Sequence, residues 1–365
     1  MLVNCSRNLL SDAMQEMISV VPSSSMIPVL NHVLFRIFQN SIEITGSDME
    51  ISLVSKIPCN AQDEIQIAIP AKSFADIIRS MNEDEVGLEF DQNSLHILGQ
   101  QKKYFLNCME AGDFPSLPEV KGNHYAFKGQ EILHLFKKVN AAISAKGEGN
   151  MSFSSVLLQT FANELRLVTT DGQRLMIAKH WESADLNSLH IMIPPKTFQV
   201  LTKVIGKSTD AVELVVGDRE IAIQCTNKTL ISRILEGNFP DYERVIPTSV
   251  SYHFELNTHE FMQSLNRLNL LVRSGSKRIT FKVQDNQLQL SANDPEVGSG
   301  EESLSVISSG GEFEAVFDVR KMMEGVEAIE SDQILLETAG PLHPLIMKEK
   351  DSDRYLYLLV SLRKP

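Results

Sequence analysis

Apolar residues recur every three or four positions in three separate stretches of the chain, which is the period of an amphipathic helix. Each stretch therefore predicts a helix that packs one apolar face against a core. Between these stretches the pattern changes to short alternating runs with turn residues, which is typical of antiparallel strands. The helical apolar positions are Leu10, Ala13, Met14, Met17, Ile18 and Val21 in the first stretch, Ile132, Leu135, Phe136, Val139 and Ile143 in the second, and Phe261, Leu265, Leu268 and Val272 in the third.

A strand, an aspartate-centred turn and a second strand occur together three times. The segments are SIEITGSDMEISL at 41–53, ELRLVTTDGQRLMIA at 164–178 and QLQLSANDPEVGSGEESL at 287–304. Their aspartates, Asp48, Asp171 and Asp294, are 123 residues apart each time. An Asp-Gly pair between alternating runs predicts a tight hairpin. For TTDGQRL two interpretations remain open, a plain turn or the rim of a functional site.

A strand that leads into a helix also repeats, in IPAKSFADIIRSM, IPPKTFQVLTKVI and FDVRKMMEGVEAI, where Lys72, Lys196 and Arg320 are 124 residues apart. The segments GDFPSLPEV and GNFPDYERVIP repeat at an offset of 125 residues. A shared spacing of separate elements indicates internal repeats. We therefore predict an α+β fold of three tandem copies, each with two helices on an antiparallel sheet, in domains 1–121, 122–248 and 249–365.

The composition limits the class of protein. A chain of 365 residues with 43% hydrophobic and 22% charged residues is ordinary for a globular protein of two or three domains. No apolar run is long enough to span a bilayer, and the N-terminus lacks a signal-peptide pattern, so we expect a cytoplasmic location. The four cysteines and nine histidines show no metal-binding spacing. We expect reduced, buried thiols, no metal site and no cofactor.

The net charge of −13 argues against a simple nucleic-acid-binding protein, but the charge is unevenly distributed. Six segments expected to be helical together carry +7, and the rest of the chain carries −20. Basic helix faces gathered around a polyanion would explain this distribution, whereas an ordinary solvated helix surface would not. The segments are 6–20, 70–82, 128–147, 194–207, 257–278 and 318–330, and the cations expected to face the polyanion are Lys72, Arg79, Lys137, Lys138, Lys146, Lys196, Lys203, Lys207, Arg267 and Arg273.

Taken together, the three repeats, TTDGQRL, NFPDYERVIP and the terminal YLYLLVSLRKP resemble the bacterial DNA polymerase III beta subunit, the sliding clamp, over essentially the whole chain. The resemblance implies a head-to-tail homodimer that closes as a ring around duplex DNA, with helices lining the hole. It also implies a non-catalytic processivity factor that tethers the polymerase III alpha subunit, the clamp loader and other proteins with clamp-binding motifs.

The resemblance further implies that the TTDGQRL hairpin borders a pocket for short peptides with Leu or Phe anchors. Two positions depart from the family pattern, Gln173 where His is common and Ser361 where Pro is common. Both changes affect the expected shape of the pocket. Its residues would be Phe153, Thr170, Gly172, Gln173, Arg174, Leu175, Pro240, Arg244, Val245, Pro344, Leu358, Leu359, Val360, Ser361, Leu362 and Arg363.

Ring closure is likewise implied by the resemblance. Tyr104 and Leu106, on an edge strand of the first domain, would meet Leu270 and Leu271 at the end of the fifth helix of the other subunit. The acidic Glu296 and Glu302 would face basic groups such as Lys72 or Lys103. Exposed ion pairs contribute little, so apolar contacts and strand pairing would hold the ring closed.

Two other classes of function remain open on sequence grounds. A repeat-built scaffold could bind peptides without binding DNA, which would leave the basic helices as solvated surface. An enzyme could use Asp171 with Arg174, or His180 with Glu182, as an acid–base pair, although no second cluster of reactive groups supports this.

Overall fold

A computed structural model describes residues 1–38, 40–61, 63–91, 93–144, 151–181, 187–205, 211–272 and 277–363. The chain packs as two compact units, one formed by Met1–Leu133 with Lys196–Ile234 and the other by His134–Pro195 with Leu235–Pro365. Four residues singled out from the sequence, Lys146, Glu182, Lys207 and Arg273, lie outside the described residues.

Helices and strands are numbered in chain order, as follows. The first third contains β1 (Leu2–Ser6), α1 (Arg7–Ile18), β2 (His32–Phe38), β3 (Ser41–Ser47), β4 (Ile51–Pro58), β5 (Ile65–Pro70), α2 (Ala71–Ser80), β6 (Glu85–Asp91), β7 (Ser94–Gly99), β8 (Lys102–Asn107) and β9 (Met109–Glu110). The middle third contains β10 (Asn123–Lys128), α3 (Gly129–Val139), β11 (Val156–Phe161), β12 (Glu164–Thr170), β13 (Arg174–Trp181), β14 (Leu189–Ile193), α4 (Pro195–Ile205), β15 (Ala211–Val216), β16 (Glu220–Cys225) and β17 (Lys228–Arg233). The last third contains β18 (Tyr252–Asn257), α5 (Thr258–Asn269), β19 (Arg278–Gln284), β20 (Gln287–Asp294), β21 (Gly298–Ser305), β22 (Ile307–Ser309), β23 (Phe313–Asp318), α6 (Val319–Glu327), β24 (Gln333–Thr338), β25 (Leu345–Glu349) and β26 (Tyr355–Leu359).

Each compact unit contains one nine-stranded and one four-stranded antiparallel sheet among its described residues. In the first unit the strand orders are β10-β15-β16-β17-β4-β3-β2-β5-β9 and β1-β6-β7-β8. In the second unit they are β14-β11-β12-β13-β26-β25-β24-β18-β22 and β21-β20-β19-β23. The α+β class predicted from the sequence is therefore confirmed.

The nine-stranded sheets run across the boundaries between repeats. In the first unit β4 pairs with β17, and Ser52 lies opposite Ile231. In the second unit β13 pairs with β26, and Leu175 lies opposite Leu358. In both, the strand that follows an aspartate turn pairs with the last strand of the next repeat. The two units are thus built by the same rule.

The three aspartate turns share one hydrogen-bond pattern. Asp48 Oδ1 accepts the N–H groups two and three residues later at 3.0 and 2.7 Å. Asp171 Oδ1 does the same at 2.9 and 3.0 Å, and Asp294 Oδ1 at 2.9 and 3.3 Å. Such a side chain closes the turn by replacing a backbone acceptor. The interpretation of TTDGQRL as a turn is confirmed.

The predicted apolar stripes are largely buried, but the helices are shorter than expected. Ile18, at the end of α1, remains 40% exposed, which departs from the predicted stripe. The segments 128–147 and 257–278 are helical only over Gly129–Val139 and Thr258–Asn269. As a result, the six described helices carry a net charge of +3 rather than the +7 expected for the longer segments.

An aromatic cluster forms the core beneath the last two helices. Phe281 is fully buried, with its ring centroid 5.6 Å from that of Phe254 and 6.2 Å from that of Phe317. Phe261 of α5 meets Phe281 edge to face at 6.4 Å. Rings at these distances and angles attract each other in addition to the apolar area that they bury.

Replacing Phe281 with alanine is expected to lower the free energy of unfolding by about 3–5 kcal/mol, because the buried ring leaves a cavity. Urea denaturation followed by circular dichroism measures the change. Phe161→Ala is the matched control, since that ring is 67% exposed at a hairpin tip. A loss at Phe281 no larger than the loss at Phe161 would contradict the assignment of this core.

Candidate functional site

Hydrogen bonds of Thr170 and the conformation of Gly172 stabilise the TTDGQRL turn. Thr170 Oγ1 accepts the N–H of Gly172 at 3.1 Å and donates to the carbonyl of Arg174 at 2.7 Å. Gly172 has a φ of 82°, which L side chains rarely adopt. A Cβ on Gly172 would also lie 3.3 Å from the ring of Phe153. Conformation and close approach together explain the glycine.

A cluster of charged side chains fixes the turn to α6. Asp171 Oδ2 accepts from Arg174 Nε and from Lys321 Nζ, both at 3.2 Å. Arg174 also contacts Glu324 and the carbonyl of Ala141. Its side chain is only 10% exposed. Arg174 is therefore a positioning residue for the turn, because its guanidinium is engaged within the protein.

The floor of the candidate site is the junction between β13 and β26. Leu175 and Leu358 face each other across this junction and are 2% and 3% exposed, and Leu359 is 1% exposed. These three predicted residues form the floor from beneath. Further members of the same cluster were not predicted from the sequence, although FPDY in the Phe-Pro segment was a signal for two of them. They are Leu157, Val168, Ile177, Met192, Phe239 and Tyr242.

Tyr242 links this cluster to the polar side chains of Gln159 and Arg166. Its hydroxyl donates to Gln159 Oε1 at 2.8 Å and accepts from Arg166 Nη1 at 3.2 Å. Burial raises the pKa of Tyr242, so the hydroxyl stays protonated at neutral pH. The ring of Phe239 meets that of Tyr242 edge to face at 6.2 Å. The Phe-Pro segment is thereby fastened to the floor.

The rim carries exposed apolar groups. Val360 is 41% exposed and its N–H donates to the carbonyl of Gln173 at 3.0 Å, which joins the C-terminal segment to the turn. Val245 is 53% exposed, and Arg244 beside it pairs with Asp241 at 2.6 Å. The remaining predicted rim residues are half-buried or exposed and comprise Phe153, Gln173, Pro240, Pro344, Ser361, Leu362 and Arg363.

The predicted site thus combines a buried apolar floor, an exposed apolar rim and few available charges. This arrangement suits the binding of apolar side chains from an extended peptide. It does not suit acid–base chemistry at Asp171 and Arg174, because both groups are engaged in fixing the turn.

Elsewhere burial raises the pKa of the Cys5 thiol to about 12, which suppresses its thiolate. Among the described residues, no cluster of potential metal ligands occurs.

Several cations expected to face DNA have exposed side chains. Arg79 is one of them, although it pairs with Asp76 at 2.8 Å on its own helix. Such an exposed pair is weak and leaves the guanidinium free to exchange partners. The exposed members of the predicted set are Lys72, Arg79, Lys137 and Lys203.

Two further cations of that set are engaged within the chain. Lys196 contacts the carboxylate of Asp48 and donates to the carbonyl of Val20 at 3.1 Å. Arg267 forms a bidentate pair with Glu302, with both oxygens within 2.7 Å. Their charges are largely neutralised locally, which reduces their attraction for a distant phosphate.

The prediction that Lys138 faces DNA is wrong. Its side chain is 7% exposed rather than facing outward, and its Nζ donates to Glu349 and to the carbonyl of Ala328, both at 2.9 Å. Burial raises the pKa of Glu349, but the hydrogen bond and charge of Lys138 outweigh this and hold it below its usual range. Lys138 therefore joins two repeats and is not a DNA-facing cation.

The residues expected at the dimer interface lie at two sheet edges and beside α5. Tyr104 and Leu106 are half-buried on β8, the last strand of its sheet. Leu270 is 79% exposed, and the side chain of Leu271 covers Gly300, where a Cβ would approach to 2.4 Å. Glu302 pairs with Arg267 of its own chain, and Glu296 lies in the third aspartate turn.

None of the described helices is both long and apolar enough to cross a membrane.

Comparison with known proteins identifies one family along nearly the whole chain. The N-terminal, central and C-terminal domain models of the DNA polymerase III beta subunit match residues 1–118, 127–241 and 243–363. The beta sliding clamp of Staphylococcus epidermidis is 26% identical and that of Bacillus subtilis 25% identical, each over 98% of both chains. Two solved structures cover both chains completely, a Bacillus subtilis DNA polymerase sliding clamp with a TM-score of 0.96 and a Pseudomonas aeruginosa DNA polymerase III beta subunit with a TM-score of 0.94, each 23% identical.

Replacing Lys138 with methionine is expected to lower the free energy of unfolding by about 3 kcal/mol, because Glu349 is left buried without its cation. Adding Glu349→Gln should restore most of the loss. Because pairing depresses the pKa of Glu349, its contribution is present above the unfolded carboxylate pKa of about 4.3 and is lost as the pH falls.

Denaturant unfolding at pH 7 and at acidic pH tests this expectation. Lys137→Met, at the exposed neighbouring position on α3, is the control and should change stability by no more than about 0.5 kcal/mol. Equal effects at Lys137 and Lys138 would refute the buried pair.

Proposed function

Because the chain belongs to the DNA polymerase III beta subunit family, the DNA sliding clamps, we propose that two copies of it close head to tail as a ring around duplex DNA. As a member of that family the protein is a non-catalytic processivity factor, and it tethers a polymerase to its template. The alternative of a peptide-binding scaffold without DNA binding is not favoured, because the curated relatives are named beta sliding clamps.

The observation that supports ring closure is the shared geometry of the two internal junctions. In each, a strand after an aspartate turn, β4 or β13, pairs with the last strand of the next repeat, β17 or β26. By the same rule β21, which follows Asp294, requires the counterpart of β17 in a first repeat. This is β8, because the order β1-β6-β7-β8 corresponds to β10-β15-β16-β17. Both β8 and β21 end their sheet orders. An edge strand offers unpaired backbone groups to another chain, so β21 of one subunit and β8 of the next form the third junction.

The ion pairs at the internal junctions extend the same rule. Asp48 contacts Lys196 at the start of α4, and Asp171 contacts Lys321 at the start of α6, one residue after Arg320, the counterpart of Lys196. The equivalent helix of the first repeat is α2, whose exposed Lys72 lies 124 residues before Lys196. Asp294 of one subunit would therefore face Lys72 of the partner subunit. Apolar contact of Leu270 and Leu271 with Tyr104 and Leu106 completes the interface.

The exposed lysines and arginine of the helices supply the contact with DNA. Lys72, Arg79, Lys137 and Lys203 offer sequence-independent attraction for phosphates, which weakens with salt. The net charge of −13 and the small helical excess keep this attraction low. A ring that must slide benefits from weak contacts, because its linkage to DNA is topological. We expect a cytoplasmic location, because bacterial DNA replication takes place there.

The cleft around the TTDGQRL turn is the docking site for partner peptides. Apolar anchors would pack on the rim formed by Val245 and Val360, above the floor of Leu175 and Leu358. The partners in this proposal are the polymerase III alpha subunit, the clamp loader and other proteins that carry clamp-binding motifs. Lys321 Nζ donates to Gln173 Oε1, and this hydrogen bond restricts rotation of the Gln173 side chain at one edge of the cleft.

The ring predicts topological retention on DNA. Protein loaded on nicked circular DNA with a clamp loader and ATP should co-elute with the DNA in gel filtration and should be released when the circle is linearised. Leu271→Asp places a charge in the apolar interface and should give monomers by light scattering and no retention. Phe161→Asp, at an exposed hairpin tip, should behave as the wild type. Retention on linear DNA, or a dimeric Leu271→Asp variant, would rule out the proposed closure.

The cleft predicts selective binding of peptides with Leu and Phe anchors. Val360→Asp should weaken such a peptide about tenfold or more, because a carboxylate on the rim opposes burial of the anchors. Fluorescence anisotropy with a labelled peptide measures the affinity. Ile307→Asp changes an apolar residue that is 71% exposed on β22 and should leave the affinity unchanged. The site is misassigned if both variants bind equally well.

A further inference from the structure

A separate cavity of about 280 Å³ lies within the first compact unit. One wall is the first aspartate turn, one is the segment that follows Phe114, and the base is formed by strands β16 and β17. None of these residues belongs to the cleft around TTDGQRL. The cavity is lined by Ser47, Met49, Glu50, Ser52, Pro115, Ser116, Leu117, Pro118, Glu220, Ile231 and Arg233.

This cavity occupies the place in the first junction that the candidate peptide site occupies in the second. Ser47 and Met49 are equivalent to Thr170 and Gly172, since the aspartate turns are 123 residues apart. Pro115 is equivalent to Pro240 at the offset of 125 residues. The strand pair also matches, because Ser52 lies opposite Ile231 as Leu175 lies opposite Leu358. The aspartate turn, the Phe-Pro segment and the paired strands thus have the same arrangement at both junctions.

The chemistry of the first cavity differs from that of the second site. Ser52 stands where the second site has Leu175, and its hydroxyl is hydrogen-bonded to that of Ser47 at 2.8 Å. Apolar contact is offered instead by Ile231 and by Leu117, which packs against it. The floor is therefore partly polar, and the apolar contact that it offers is confined to Ile231 and Leu117.

Met49 lies at the mouth of the cavity and has a left-handed backbone conformation. Its φ is 75°, a left-handed conformation that costs free energy in a residue with a Cβ, whereas its counterpart Gly172 adopts a φ of 82° without that cost. The side chain is 45% exposed at the mouth of the cavity. A flexible thioether at that place is suited to close over an apolar anchor.

The charges at the mouth determine what kind of segment would enter. Glu50 is exposed and Glu220 is half-buried, against one exposed cation, Arg233. The excess of negative charge contrasts with the residues predicted for the rim of the second site, which include the exposed Arg363 and an Arg244 that pairs with Asp241. Flanking lysine or arginine residues would therefore favour the first cavity over the second.

We propose that the cavity at Met49, Leu117 and Ile231 is a second peptide-docking site, which takes an extended segment of a partner protein with one apolar anchor flanked by Lys or Arg. The idea that the ligand is a peptide rests on the proposed peptide-docking function. The cavity, the conformation of Met49 and the charge at the mouth are observed at this site independently. It gives each subunit two docking sites of different charge preference. Two partners could then be held on one subunit without competing.

The test uses fluorescein-labelled Gly-Lys-Lys-Leu-Lys-Lys-Gly and a charge-matched peptide in which serine replaces the leucine. Anisotropy is measured with the full-length protein in about 0.15 M salt, which screens nonspecific attraction. The leucine peptide is expected to bind about tenfold more tightly than the serine peptide, since it buries its anchor. Met49→Gly should abolish this preference, and Glu50→Gln with Glu220→Gln should weaken binding of the leucine peptide several-fold.

Met49→Gly relieves the left-handed strain, so the free energy of unfolding of this variant should equal or exceed that of the wild type. A loss of binding in this variant then cannot be attributed to a loss of folding. Val360→Asp, which acts on the second site, should keep the preference for leucine. Equal binding of the two peptides to the wild type, or a preference that survives Met49→Gly, overturns the proposal. A preference that Val360→Asp removes also overturns it, because the peptide is then in the second site. Binding of a peptide with Leu and Phe anchors, measured on the same preparation, reports separately on the proposed function.

Discussion

Backbone pairing across the boundaries between repeats is the interaction on which the rest of this structure depends. β4 with β17 and β13 with β26 convert the sheets of successive repeats into continuous nine-stranded sheets. A strand at the edge of a sheet leaves its N–H and C=O groups unpaired, and each pairing satisfies one such row. The pairing of β13 with β26 also brings Leu175 beside Leu358, although they are distant in sequence. The floor of the candidate cleft is therefore a consequence of the junction.

The aspartate turns add electrostatic specificity to this pairing. One carboxylate oxygen of Asp48 or Asp171 closes its own turn, and the other binds a lysine of the next repeat. Lysines used in this way attract DNA less, and Lys138 is buried with its partner Glu349. A count of basic residues on helices therefore overstates the positive surface. The smaller excess is consistent with the proposed ring, because tight phosphate contacts would oppose sliding.

Repetition of the frame does not bring repetition of the chemistry. The first and second junctions present the same elements, yet Ser52 replaces Leu175 and Met49 replaces Gly172. A leucine floor suits a row of apolar anchors, whereas a hydroxyl floor under a flexible methionine suits a single one. Binding specificity depends on these few side chains, since the frame beneath them is the same. Internal duplication can therefore supply one chain with sites of different preference.

The sequence by itself determined the elements whose conformation is local. Helical stripes, alternating strands and the turns at Asp48, Asp171 and Asp294 follow from side-chain periodicity and from hydrogen bonds within three residues, and their constant spacing revealed the repeats. The residues of the candidate cleft came from family resemblance, and the structure brings Phe153, the TTDGQRL turn, Leu175, Leu358 and Val360 together at one junction. Only the tertiary structure decided that Leu359 is buried beneath the cleft, that Phe239 and Tyr242 support it and that Lys138 points inward. The physical reason is that burial and ion pairing depend on partners brought from distant parts of the chain, such as Glu349 for Lys138, and local periodicity carries no information about them.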